Sequence, residues 1–174
     1  MKHLINVLCA GAVIATSLLM CPSAAAARRG EKCFGPRAGY VSRIPTFAAG
    51  LKFEYCFSSH VRLSPSVDIY FRNRNKDALS TNINIDFPIS MAPKWSFYPL
   101  AGIGFTSWGR HSHNEADEDG DKDVTAHTNC FGLNAGAGIE FYAMPALKLQ
   151  LEGQYKLMRH YPTATVQVGI SYVF

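Results

Sequence analysis

The sequence predicts an all-β fold: an eight-stranded antiparallel up-and-down transmembrane β-barrel behind a cleavable N-terminal signal peptide. Three observations carry this. From Cys33 to Phe174, apolar and polar side chains alternate with the two-residue period of a strand, in segments separated by turn residues. The segments number eight, and each is near the roughly 9 to 11 residues that a tilted strand needs to cross a bilayer. After the N-terminal leader no apolar run is long enough for a membrane-spanning helix, so a chain that enters a membrane must do so as a closed barrel. Composition decides nothing further: 174 residues, 48% hydrophobic and 17% charged, are ordinary for one domain.

The leader is residues 1–27. Lys2 precedes an apolar run, and small residues from Ala24 to Ala27 stand before Arg28 and Arg29. These are the charged, apolar and cleavage regions of a secretory signal, which leaves residues 28–174 as the barrel domain. A retained helix would lack this small-residue end. Acylation at Cys21 would need small residues where Leu19 and Met20 stand.

The strands follow in order. "RAGYVS" is a weak first segment, with Arg37 on its polar side. The second sets Phe47, Ala49, Leu51, Phe53, Tyr55 and Phe57 against Ala48, Gly50, Lys52, Glu54 and Cys56. The third sets Val61, Leu63, Pro65, Val67, Ile69 and Phe71 against Arg62, Ser64, Ser66, Asp68, Tyr70 and Arg72. In the fourth, Ile83, Ile85, Phe87 and Ile89 oppose Asn82, Asn84 and Asp86. The fifth, "WSFYPLAGIGF", is noisier, with Trp95, Phe97, Ala101, Ile103 and Phe105 opposite Ser96, Gly102 and Gly104. The sixth alternates from Phe131 to Phe141, with Glu140 on its polar side. The seventh opposes Leu147, Leu149, Leu151, Tyr155 and Leu157 to Lys148, Gln150, Glu152, Gln154 and Lys156. The eighth is "VQVGISYVF", from Val166 to Phe174.

A soluble barrel would turn the apolar face inward; a membrane barrel exchanges the faces. Three features favour exchange. The polar faces carry both signs in near balance, Arg37, Lys52, Arg62, Arg72, Lys148 and Lys156 against Glu54, Asp68, Asp86, Glu140 and Glu152. Enclosed in a lumen, all of these but Arg72, which lies at the outer strand end, could form the paired polar network that buried charge requires. The apolar faces end in aromatics at both rims: Phe57, Phe87, Trp95, Phe141 and Phe174 at one, Phe47, Phe71, Phe105 and Phe131 at the other. The connections "SSH", "SMAPK" and "AMPA" are short, whereas the opposite side holds the chain's long loop, about residues 110–128. That asymmetry is the one seen between periplasmic turns and external loops.

On these segments the chain resembles the small OmpX/OmpA-like outer-membrane β-barrel family, a porin-like type, over residues 33–174. The terminal "ISYVF" is similar to the C-terminal signal read by the barrel-assembly machinery. The resemblance implies a multi-pass protein of the Gram-negative cell envelope, in the outer membrane, with outer-membrane lipid and lipopolysaccharide as partners and no nucleic acid. It implies a non-enzymatic role, structural, adhesive or for surface display, with no cofactor and with a host or matrix ligand at the outer loop. A lumen of eight strands is just wide enough for side chains to fill. The alternatives are a narrow pore or small-solute carrier, and a lipid A-modifying enzyme, for which His111, Ser112, His113 and Glu115 supply residue types but no deacylase motif.

Several sites follow as expectations. If the first hairpin turns about Ile44 and Pro45, paired positions sum to 89; Cys33 and Cys56 then face each other and can form a disulfide in an oxidising compartment. The loop carries Glu115, Asp117, Glu118, Asp119, Asp121 and Asp123 against Lys122 alone. Asp117, Asp119 and Asp121, before and after Gly120, resemble the start of a calcium loop, but Ala126 stands where a bidentate Glu belongs. His111, His113 and His127 flank the same loop and suit a transition metal. Arg43, Arg72, Arg74, Lys76, Arg110 and Arg159 collect at the outer strand ends; Arg72, Arg74 and Arg159 are the candidates for lipopolysaccharide phosphates.

Overall fold

The computed structural model describes residues 28–43, 45–73, 76–112, 124–158 and 162–174, with only the backbone described at 72, 73, 76, 110–112 and 124–127. Among them are nine strands: β1 Lys32–Val41, β2 Thr46–Ser58, β3 Val61–Asn73, β4 Lys76–Asp86, β5 Ile89–Ala92, β6 Trp95–Ser112, β7 Val124–Met144, β8 Leu147–Met158 and β9 Thr163–Val173. All neighbours are antiparallel, in the order β4-β3-β2-β1-β9-β8-β7-β6-β5, and β4 also pairs β6. The sheet therefore closes on itself. The barrel has eight strands because β4 and β5 are one strand interrupted: Phe87 still donates its N–H to the Pro99 carbonyl at 2.9 Å, but Pro88 has no N–H to give and the ladder resumes at Ile89↔Phe97.

Alternation fixes the faces. In β8 the residues Lys148, Gln150, Glu152, Gln154 and Lys156 are buried, while Leu149, Leu151, Tyr155 and Leu157 are exposed. The same inversion holds in β9, where Gln167 and Ser171 are inside and Val166, Val168, Ile170 and Tyr172 outside.

Four features of the strands differ from the sequence reading. The first strand begins at Lys32 and the fourth at Lys76, each earlier than the alternation alone indicates. The fifth segment's strict period puts Tyr98 and Leu100 inside, fully and nearly fully buried. β6 and β7 pair as far as Ser112↔Val124, so residues 110–112 and 124–128 are strand and not loop. The β1–β2 register sums to 87, as in Cys33↔Glu54, because the turn centres one residue earlier, between Arg43 and Ile44. Cys56 accordingly lies beside Glu31, bonded through its own N–H at 3.0 Å, and the expected Cys33–Cys56 bond is not formed: both thiols are free and buried.

Candidate functional site: the barrel interior

The charged side chains buried among the described residues are ten: Arg37, Lys52, Arg62, Lys148 and Lys156, with Glu54, Asp68, Asp86, Glu140 and Glu152. All ten stand on the polar faces of the sequence; of Arg72, the remaining charge on those faces, only the backbone is described. Strand alternation brings them inward from six strands, and the closure of the barrel brings opposite walls within reach.

Nearest the short turns, Arg62 is the hub. Its guanidinium lies 2.7 Å from Glu140, 3.1 Å from Asp86 and 3.5 Å from Glu54. Lys148 pairs with both Glu54 and Glu140, the latter at 3.3 Å, and Gln150 donates to Glu54 at 2.6 Å. One layer further in, Lys52 lies 2.6 Å from Glu152, 3.2 Å from Glu54 and 3.6 Å from Asp86, which ties the two layers together. Arg37 grips Asp68 with two parallel bonds, Nε at 2.8 Å and Nη2 at 2.6 Å, and reaches Glu152 at 3.2 Å. Such a planar fork on a carboxylate is the strongest pairing geometry available to side chains.

Tyr98 sits among these groups. Its hydroxyl donates to Glu152 at 3.1 Å, and its ring lies under Lys52 Nζ at 5.0 Å and the Arg62 guanidinium carbon at 4.7 Å. It fits because β7 offers no side chain opposite: a Cβ on Gly138 would come within 2.4 Å of the Tyr98 hydroxyl oxygen. The amides complete the middle layer. Asn82 and Gln167 each donate to Asp68 at 3.2 Å, and Asn134 donates to Asn84 at 3.0 Å and to Asn82 at 3.3 Å.

Toward the other end the lumen changes character. Val41, Ala48, Tyr70, Ala78 and Trp108 form a buried apolar cluster, with the Tyr70 and Trp108 rings 5.9 Å apart. Lys156 lies at the boundary, donating to Tyr70 Oη at 2.7 Å and Ser80 Oγ at 2.6 Å. Among the described residues it has no carboxylate within ion-pair distance, the one lumen cation of which this is true.

The exterior is the reverse. Leu51, Val67, Ile83, Ile85, Ile103, Leu133, Leu151, Val168 and Ile170 present a band of exposed hydrocarbon. Aromatics border it at both ends, Phe47 at 71% exposure, with Tyr40, Phe71 and Phe131, on one side, and Phe57, Trp95, Tyr172 and Phe174 on the other. A continuous apolar surface of this extent is unstable in water and suits lipid, where only a closed barrel leaves no unpaired backbone edge. The chain is a transmembrane β-barrel.

No protein-family model matches this barrel, and no curated protein matches it. Solved structures do. The N-terminal β-barrel domain of Pseudomonas aeruginosa OprF superposes with a TM-score of 0.63 at 13% identity, covering 84% of this chain and 98% of that one. Neisserial surface protein A gives 0.66 at 12% identity, over 83% and 97% of the two chains. Ail, the attachment invasion locus protein of Yersinia pestis, gives 0.60 at 18% identity, over 84% and 99%. The barrel thus has the fold of the small eight-stranded OmpX/OmpA-like outer-membrane proteins.

The remaining expected sites are less gathered. Asp117, Asp119, Asp121, His113, Arg74 and Arg159 lie outside the described residues, as does the leader. Arg72 is in β3, Lys76 opens β4, and Arg110 and His111 are in β6, with backbone alone described. The register places His111 opposite Thr125 and His127 opposite Gly109. Among the described residues no three metal-ligating side chains converge.

Proposed function

We propose that the protein is a non-enzymatic outer-membrane barrel whose lumen is filled by its own side chains, so that the β-barrel serves as a scaffold presenting the segment between β6 and β7 to the outside. The observation that carries this is the interior itself: five cations and five anions, all buried, span the lumen beneath the apolar cluster. Counter-charges at 2.6 to 3.6 Å leave little room for a continuous water column. Single-channel recording in planar bilayers tests the reading; the wild-type barrel is expected to show no steady conductance, and regular wild-type openings would favour a pore instead. Lipid A mass spectra with and without the gene test the enzymatic alternative and are expected to be identical.

The displayed segment has a distinctive charge. Six acids between Glu115 and Asp123 face one Lys122, which suits a basic surface. Ail has been crystallised with the heparin analogue sucrose octasulfate, a polyanion; an acidic segment here would repel such a ligand. Replacing residues 113–123 with a short neutral turn is expected to abolish adhesion to basic matrix while leaving folding intact. Arg72, Arg74 and Arg159 are proposed to hold lipopolysaccharide phosphate at the outer rim. Charge reversal at the three should reduce co-purified lipopolysaccharide, and unchanged retention would remove that role.

A further inference from the structure

The end of the barrel with short turns carries a small device at the start of the folded domain. Arg28 to Glu31 form a β-turn: Glu31 donates its N–H to the Arg28 carbonyl at 2.9 Å, and Gly30, third in the turn, has φ +82°. That left-handed value is what a type II turn requires at this position, and glycine adopts it freely. The turn is sewn to β2, with Gly30 donating to the Cys56 carbonyl at 2.8 Å.

The Glu31 carboxylate is held at both oxygens. Oε1 accepts the Tyr142 hydroxyl at 3.0 Å, from β7 on the far side of the sequence, and the Cys33 thiol at 3.7 Å. Oε2 accepts the backbone N–H of Arg28 at 3.2 Å. Around them opens a cavity of about 740 Å³ bordered by Arg29, Lys94, Met144 and Phe174, so the group is reachable from solvent.

The second observation is in the sequence. Ala25, Ala26 and Ala27 end the leader pattern immediately before Arg28, the small-residue signature of a signal-peptidase site. Hydrolysis there adds one water across the Ala27–Arg28 bond. Ala27 leaves as a carboxylate on the leader, and the Arg28 nitrogen, with its electron pair restored, is protonated to an α-ammonium. The uncharged amide nitrogen that donates to Glu31 thus becomes a cation 3.2 Å from an oriented carboxylate oxygen.

We propose that Glu31 is the receptor for the amino terminus that leader removal creates, an ammonium clamp that Tyr142 orients and that fastens the N-terminal turn across the mouth of the barrel. The uncut chain has only an uncharged amide donor there. Processing itself therefore completes the clamp: a bond in which only the acceptor is charged becomes one in which donor and acceptor carry opposite charges.

The test uses full-length chain expressed through the secretory route and purified from outer membranes, with folding checked by heat-modifiable migration. Mass spectrometry of the processed protein is expected to find Arg28 first. The α-amine is then acylated with an N-hydroxysuccinimide ester at neutral pH and low salt, with the Lys94 peptide as internal reference. Wild-type α-amine is expected to react about two- to fivefold more slowly than that of Glu31→Gln, with Tyr142→Phe between them, since a partly exposed pair is worth up to about 1 kcal/mol. The wild-type protection should also weaken in about 1 M salt, where the Debye length falls to about 3 Å. A different first residue, equal rates in wild type and Glu31→Gln, or protection indifferent to salt overturns the proposal. Should Glu31→Gln fail to fold, the wild-type salt comparison decides alone.

Discussion

The two ends of the lumen are filled by opposite chemistry. Around Arg62 and Lys52 the filling is ionic, with Glu54, Asp86, Glu140 and Glu152 each shared by two or more cations. Around Trp108 it is mostly uncharged: Val41, Ala48, Tyr70 and Ala78 pack there, and the buried polar neighbours Thr46, Ser80, Thr106 and Thr165 are hydroxyls. The difference teaches which end gives stability and which gives uniqueness. Burying hydrocarbon is favourable wherever it falls, whereas a buried ionic network approximately breaks even against desolvation and becomes costly when any one member is lost. The ionic end is therefore intolerant of single changes, and the apolar end is graded.

The largest effect is expected from Arg62→Leu. It leaves Glu54, Asp86 and Glu140 close together with one fewer cation, and should cost about 3–5 kcal/mol in urea unfolding from detergent micelles. Adding Glu140→Leu in the same chain should recover part of that loss, a sign that a purely packing defect would not give. Trp108→Ala, which empties the apolar end without stranding a charge, is expected to cost about 3 kcal/mol by the same measurement. A second charge substitution would not rescue it. The smallest effect belongs to Tyr98→Phe, which keeps the ring beneath Lys52 and Arg62 and removes only the hydroxyl bond to Glu152, about 1.5 kcal/mol. If Tyr98→Phe proves as damaging as Arg62→Leu, the network is centred on the tyrosine and not on the guanidinium.

Much of this was legible in the sequence because a membrane barrel writes its two faces in plain alternation. Lys148, Gln150, Glu152 and Lys156 could be assigned inward from β8 alone, since no lipid-facing strand tolerates them. Tyr98 was hidden by Pro99 and by its own amphipathic character; strict counting from Ser96 to Gly104 would have found it. The apolar cluster was hidden for a related reason: Val41, Ala78 and Trp108 are hydrocarbon on a face identified by its polarity. The ends of β6 and β7 were not legible because beyond the bilayer neither face need be apolar, and "RHS" and "VTA" carry no period. The β1–β2 register depends on turn geometry, which a two-residue shift in the sum alters without changing which face is buried.

The pairing distances along the chain have a consequence for assembly. Arg37 meets Glu152 across 115 positions, Lys52 meets Glu152 across 100, Lys148 meets Glu54 across 94 and Arg62 meets Glu140 across 78. A nascent hairpin holds almost none of these couples, so the early strands must keep their ions hydrated until the last ones arrive. Ring closure between the first and final strands then becomes the moment at which water can leave, and insertion into hydrocarbon has to wait for it.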